Sequence, residues 1–208
     1  MEKHVYFVRH GESDSNVDRI LRGPHSKLTE AGREQAKVVA ERIARVNVDV
    51  IISSPLKRAR DTADVIAAKT RVPIEESDLF AEYERPSITL GKSEHDSEVA
   101  ELRKLVYEGH LVQNFRHSDE ENFEDIKTRG LAALHLLAAY PKERICVVSH
   151  GFFMRALLGL ILLGDGFTGR EFQRMYHHVR TNNVGLTYAK YSENIWKLIT
   201  WNDQSHLG

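Results

Sequence analysis

Three short stretches pair an imidazole or a guanidinium with the end of an apolar run, and together they carry the groups needed to hold and attack a tetrahedral anion. In Val8-Arg9-His10-Gly11-Glu12, with Asn16 following, a strand-like run ends in a cation, an imidazole and a glycine. Gly11 is expected to let backbone N–H groups approach an anion closely. In Ser53-Ser54-Pro55-Leu56-Lys57-Arg58, Pro55 is expected to set the first helical turn. That puts Arg58 at a helix amino terminus, where free N–H groups and the helix dipole already favour an anion and a guanidinium can grip phosphate through two N–H groups. Lys57 and Arg60, interleaved with Asp61, read instead as a solvated helix face. In Val147-Val148-Ser149-His150-Gly151 a second apolar run ends in imidazole and glycine. Each motif alone is weak. Ligands of open α/β sheets gather beyond the carboxyl ends of strands, so the three together point to one phosphate pocket.

The elements that must position these residues follow from hydropathic period. His4 to Val8, Val48 to Ser53 and Ile145 to Ser149 are short, apolar and rich in β-branched residues, as buried parallel strands are. Thr29 caps a helix running to Arg45, and Ser54-Pro55 opens another reaching about Lys69. Further helices are expected at Ser97 to Phe115, Asn122 to Ala139 and Phe152 to Leu163, with an antiparallel pair at Gly185 to Tyr191 and Ile195 to Trp201. The alternation predicts an α/β class protein, a three-layer α/β/α sandwich with a mainly parallel sheet, in one domain over residues 1–208. Ser87 to Asp96 and His110 to Glu121 lack periodicity and are expected to be loops or a lid. Their Lys92, His95, Arg116 and His117 are weighed as contacts for a second anionic group against solvated loop residues.

The totals exclude several classes. Twenty-nine basic residues nearly cancel thirty acidic ones, so no overall field calls for nucleic acid or an anionic membrane. The most apolar segment, Ala156 to Leu163, falls well short of the ~20 residues that span a bilayer, and Met1 to Val8 carries no secretory pattern. A single cysteine, Cys146, excludes an internal disulfide framework and a multi-cysteine zinc site, consistent with a cytoplasmic protein. The nine histidines other than His10 and His150, among them His177-His178, show no spacing that forces a metal site.

Arg9-His10-Gly11-Glu12 with Asn16, Ser53-x-Pro55-x-x-Arg58-Ala59-x-x-Thr62-Ala63, and Ser149-His150-Gly151 occur in an order that resembles the histidine phosphatase superfamily, the phosphoglycerate mutase-like branch 1, over nearly the whole chain. The resemblance implies a phosphohistidine mechanism without cofactor or metal. It makes His10 the nucleophile, with His150 beside it. Arg9, Asn16, Arg58, His150 and Gly151 would bind the phosphoryl group. The family's proton donor matches Glu82 in Phe80-Ala81-Glu82, with Glu84 as rival, although Arg85-Pro86-Ser87 departs from the commoner pattern after it. Arg9 and Arg58 would disfavour protonation of His10 and keep it nucleophilic.

The expected function is hydrolysis of a phosphomonoester, a small phosphometabolite or a phosphoprotein. Nucleic acid and membrane are not expected as partners, and a homodimer is allowed. Three alternatives stay open. A phosphoglycerate mutase would need a closed, water-poor site gripping a carboxylate. A non-catalytic phosphate-binding module would have no chemical need for all four of His10, Arg9, Arg58 and His150. A serine hydrolase would rest on Ser53 or Ser149, but no Gly-x-Ser-x-Gly elbow is present.

Overall fold

The computed structural model describes residues 2–208. In chain order its elements are β1 (Lys3–Arg9), α1 (Asp14–Asp18), α2 (Glu30–Arg45), β2 (Val50–Ser53), α3 (Lys57–Thr70), β3 (Ile74–Glu76), α4 (Ser97–Gly109), α5 (Phe123–Ala139), β4 (Arg144–Ser149), α6 (Gly151–Leu163), α7 (Gly169–His178), β5 (Leu186–Ser192) and β6 (Ile195–Asp203). They build a six-stranded sheet of order β3-β2-β4-β1-β5-β6. The first four strands in that order run parallel, and β5 and β6 add an antiparallel edge.

The central strands are buried on both faces, which is why they read as unbroken apolar runs. Alternate residues feed two cores. Tyr6, Val8, Ile51, Cys146 and Val148 meet α2 and α3 through Val39, Ile43, Ala63 and Ile66. Val5, Phe7, Ile52, Ile145 and Val147 meet α5, α6 and α7 through Ile126, Leu137, Phe153, Leu157 and Phe172. Each fully buried Ile, Leu or Phe in these layers contributes roughly 1.5–3 kcal/mol. The helices are capped as their sequences indicate. The Thr29 hydroxyl accepts from Gly32 N at 2.9 Å, and Asn122 Oδ1 accepts from Asp125 N at 3.0 Å.

Two boundaries differ from expectation. Pro55 does not open α3: Leu56 is the N-cap and Lys57 the first helical residue, because Ser54 Oγ turns the chain by accepting from Leu56 N at 3.2 Å. Arg58 is then the second residue of α3 and remains at its amino end. The helix expected to reach Phe115 stops at Gly109, where the Phe115 ring folds back into the space a Cβ would fill. The segment after it is ordered around Glu120, a buried carboxylate that accepts from His117 N at 2.6 Å and Ser118 N at 2.9 Å. Three elements were not anticipated: α1, β3 and α7, the last carrying His177 and His178 in its final turn. Among the described residues no helix is long and apolar enough to cross a membrane.

Candidate active site

The sheet order decides the site. Strand β4 lies between β2 and β1, and Arg9 stands in register with Ser149 while Ser53 stands beside Val148. His10, Ser54 and His150, each directly after a strand, are therefore neighbours although 44 to 140 residues separate them in the chain. The rings of His10 and His150 are 5.1 Å apart.

The network around His10 fixes its proton. Its Nδ1 lies 2.7 Å from the carbonyl oxygen of Gly11, which can only accept, so Nδ1 carries the hydrogen. Nε2 is left with its lone pair and receives the Nε–H of Arg58 at 3.2 Å. The imidazole is held well below its usual titration range, first by burial and then by Arg58 and Arg9. The cations anticipated as the cause are real, but loss of water matters more. His150 is shifted the same way, again chiefly by burial and then by Arg58. Its Nε2 is 2.8 Å from Ser54 Oγ, while Nδ1 is buried without a partner.

Arg9 is locked by donating from Nη1 to Thr181 O at 2.6 Å, and its Nε is likewise buried and unpartnered. Burial pushes this guanidinium down to about 10, still cationic at neutral pH. Arg58 donates from Nη1 to Gly23 O at 2.9 Å. Two buried nitrogens without partners, Arg9 Nε and His150 Nδ1, beside the desolvated Arg9 and Arg58 leave a place that an oxyanion would complete.

Gly11 serves a purpose other than the one expected, and Gly151 has a steric one as well. Gly11 N donates to Thr62 Oγ1 at 3.1 Å, so it is not free for an anion. Glycine is required because a Cβ there would stand 2.4 Å from the carbonyl oxygen of Gly32, where α2 begins. Gly151 opens α6, and a Cβ on it would lie 3.2 Å from Arg9 Nε, so its bareness gives the guanidinium room. Asn16 Oδ1 is occupied by Ser13 N at 3.1 Å and Asn183 Nδ2 at 3.2 Å. Asn183 also donates to His10 O at 2.9 Å and so ties Asn16 to the backbone of His10.

Glu82 and Glu84 separate clearly. The Glu82 carboxylate meets the amino end of α6, accepting from Phe153 N at 3.1 Å, Phe152 N at 3.4 Å and Tyr83 N at 3.0 Å. It is a charge partner of Arg9, Arg58 and Arg155. Its segment is pinned by Ser149 Oγ to Phe80 O at 2.8 Å and by Arg129 Nη1 to Ala81 O at 2.8 Å. Arg129 is itself held by both oxygens of Glu121 at 2.7 Å. The Glu84 side chain points to solvent while its N–H donates to Glu121.

Beyond Glu82 lies a cavity of about 330 Å³ walled by Tyr83, Arg85, Phe152 and residues of α4 and α7. Lys92, His95, Arg116 and His117 do not line it. Lys92 pairs with Glu98 at 3.2 Å, and Arg116 donates to Glu120 O at 2.7 Å. The supporting residues Ser54, Thr62, Thr181 and Asn183, and the wall residues Arg85 and His110, were not singled out by sequence reasoning. Ser54 and Thr62 carried a signal, since both lie within the second motif.

A mainly parallel sheet whose strand ends gather a lone-pair imidazole and buried cations defines an α/β protein with a pocket suited to an anion. Residues 5–204 match the model of the histidine phosphatase superfamily (branch 1), and the chain belongs to that superfamily. It is 31% identical over 207 residues to a Bacillus subtilis protein called uncharacterized phosphatase PhoE, covering 98% of this chain and 96% of that one. It is also 31% identical to a protein of Proteus mirabilis called probable phosphoglycerate mutase GpmB, covering 98% and 94%. Among solved structures, YhfR of Bacillus stearothermophilus superposes with a TM-score of 0.82 at 22% identity, over 99% of this chain and all of that one. A mycobacterial glucosyl-3-phosphoglycerate phosphatase superposes with a TM-score of 0.79 at 23% identity, over 97% of this chain and 100% of that one.

Proposed function

We propose that the protein hydrolyses phosphomonoesters through a phosphohistidine on His10. The observation that carries this reading is the Nε2 lone pair of His10, fixed by the Gly11 carbonyl and facing buried guanidiniums. Phosphoryl transfer demands positioning and stabilisation of charge on the equatorial oxygens more than covalent chemistry from the protein. Arg9 Nε, Arg58 and His150 Nδ1 supply that stabilisation, and the α6 amino terminus at Gly151 and the Asn16 carboxamide add to it. An entering phosphoryl oxygen takes over the Arg58 N–H that holds Nε2 in the free protein.

In the first step Nε2 attacks phosphorus, the N–P bond forms, the P–O ester bond breaks, and its electron pair leaves on the ester oxygen, which takes the proton of the Glu82 carboxyl. In the second, the Glu82 carboxylate takes a proton from water, the water oxygen attacks phosphorus, and the N–P pair returns to Nε2. The sum is ester plus water giving alcohol plus phosphate. The substrate is a small phosphometabolite or a phosphoprotein, with neither nucleic acid nor membrane required, and the chain is free to act as a homodimer in the cytoplasm.

Phosphoglycerate mutase activity is the second reading, supported by the 31% identity to proteins of that name. Both chemistries share the phosphohistidine. Acid-labile, base-stable label on His10 from a labelled aryl phosphate is expected, and none in His10→Ala. Release of free phosphate without exchange between monophosphoglycerates selects hydrolysis. An unlabelled wild type, or His10→Ala with near wild-type turnover, removes the mechanism.

A further inference from the structure

The cavity adjoining Glu82 has a composition of its own. It meets the phosphate site where Glu82 is followed by Tyr83 and where Phe152, a donor to Glu82, enters α6. Tyr83 and Phe152 stack with ring centres 4.5 Å apart, Tyr176 stands 5.6 Å from Phe152, and Tyr107 lies 5.8 Å from Tyr176. Val99, Leu102 and Val106 of α4 complete an apolar wall. A three-carbon glycerate would leave most of this surface bare.

Three cations interrupt it, of which Lys104 is paired with Glu108 at 3.8 Å. Arg85 is half-buried and electrostatically felt by Arg58 and Arg155, which places it toward the reaction site. Among the described residues it has neither a carboxylate partner nor a hydrogen bond, and its guanidinium lies 6.0 Å from the Tyr83 ring centre. Arg103, at the rim, is also without a carboxylate partner. The one acid on the wall, Glu94, is engaged by Arg19 at 3.7 Å. His110 is buried, caged by Tyr83, Tyr107 and Phe172, and among the described residues makes no side-chain hydrogen bond. Burial pushes its imidazole down to about 4, so it offers one neutral donor and one acceptor.

Building on the hydrolytic reading, we propose that this cavity receives the leaving group of a phosphomonoester whose body is an aromatic ring carrying a second acidic group. The ring packs among Tyr83, Tyr107, Phe152 and Tyr176, the acid meets Arg85 with Arg103 behind it, and His110 bonds a polar substituent. Apolar walls with a few convergent polar groups are how such sites fix orientation. Arg85 discriminates because a carboxylate offers its N–H groups two charged acceptor oxygens, whereas a neutral amide offers one uncharged carbonyl.

Two matched substrate pairs test this on the full chain. Benzyl phosphate and glycerol 1-phosphate both leave as primary alkoxides, and benzyl is expected to have a kcat/KM higher by about 10-fold or more, the scale of burying one aromatic side chain. N-acetyl phosphotyrosine and its carboxamide share a leaving phenol. The acid is expected to be favoured by about 3-fold or more, as for a partly exposed ion pair at the upper end of its range. Arg85→Ala should bring the acid-to-amide ratio toward one. Equal rates for benzyl and glycerol phosphates, with phosphohistidine forming on both, overturn the aromatic assignment and leave hydrolysis standing. An acid-to-amide ratio of one in the wild type overturns the assignment of Arg85, whether or not the variant folds. Turnover of none of the four, with no phosphohistidine, removes the hydrolytic reading itself.

Discussion

Replacing Glu82 by Gln separates the proton that a carboxyl can move from the hydrogen bonds that it accepts. The two shorter of its three backbone contacts, Tyr83 N at 3.0 Å and Phe153 N at 3.1 Å, both fall on Oε1, which an amide oxygen can replace. The amide nitrogen would then face Phe152 N, the longest contact at 3.4 Å. The loss of that contact and of a charge at a helix amino terminus should cost the fold no more than about 2 kcal/mol. The chemical loss is larger. A positioned acid–base group contributes about 10²–10⁴-fold, equivalent to roughly 2.7–5.5 kcal/mol of barrier. Steady-state phosphate release from an alkyl phosphate should therefore fall by that factor in kcat, with KM little changed, because the interaction is made only as charge develops. An aryl phosphate with an acidic phenol needs no help to leave, yet water still needs the base. Rapid-quench measurement should then show a burst of phenol, one per site, followed by slow hydrolysis of accumulated phosphohistidine. The reasoning is refuted if Glu84→Gln produces this behaviour, or if Glu82→Gln raises KM and spares kcat.

Acid should destabilise the protein through its buried imidazoles. His110 titrates near 6.5 in the unfolded chain and at about 4 in the folded one, so the unfolded state binds the proton first. Its contribution is fully present above pH 6.5 and is lost as pH falls toward 4, by about 3 kcal/mol at the limit, with His10 and His150 acting in the same direction. Urea unfolding at pH 7 and pH 4.5 should show this slope reduced in His110→Phe, and an unchanged slope would count against it. Gly11→Ala forces a Cβ against the Gly32 carbonyl oxygen at 2.4 Å, backbone against backbone, and should lower stability by about 1–3 kcal/mol while displacing His10. A wild-type melting temperature together with a wild-type rate in that variant would show that the β1 loop and α2 can part without consequence.

Much of the fold was legible because the relevant signals are local. Strands β1, β2 and β4, buried on both faces, announce themselves as short β-branched runs, and Thr29 and Asn122 mark helix starts by residue type alone. Strand β3 carried little local signal: it has three residues, only Ile74 is partly buried, and it exists because β2 offers an edge to pair with. Helix α7 did carry one, since Phe172, Met175 and Tyr176 recur at helical spacing and pack on the same core as α5 and α6. At the site, His10, Arg9, Arg58 and His150 could be named because each ends or follows a readable element and the three motifs together resemble one family.

The sequence by itself determined the reactive groups, the strand ends that carry them and the superfamily. Only the tertiary structure decided that β4 lies between β1 and β2, and from this come the contact of two imidazoles 140 residues apart and the desolvation that keeps them neutral. It also chose Glu82 over Glu84 as the carboxylate facing the cations, since two residues of offset in an irregular segment carry no period to read. The wall of the cavity beside Glu82, with buried His110 and with Arg85 lacking a carboxylate partner among the described residues, was equally invisible in the chain order. Burial and pairing are properties of what packs against a residue, and the partners here come from α4, α6 and α7, set by folding rather than by neighbours in sequence.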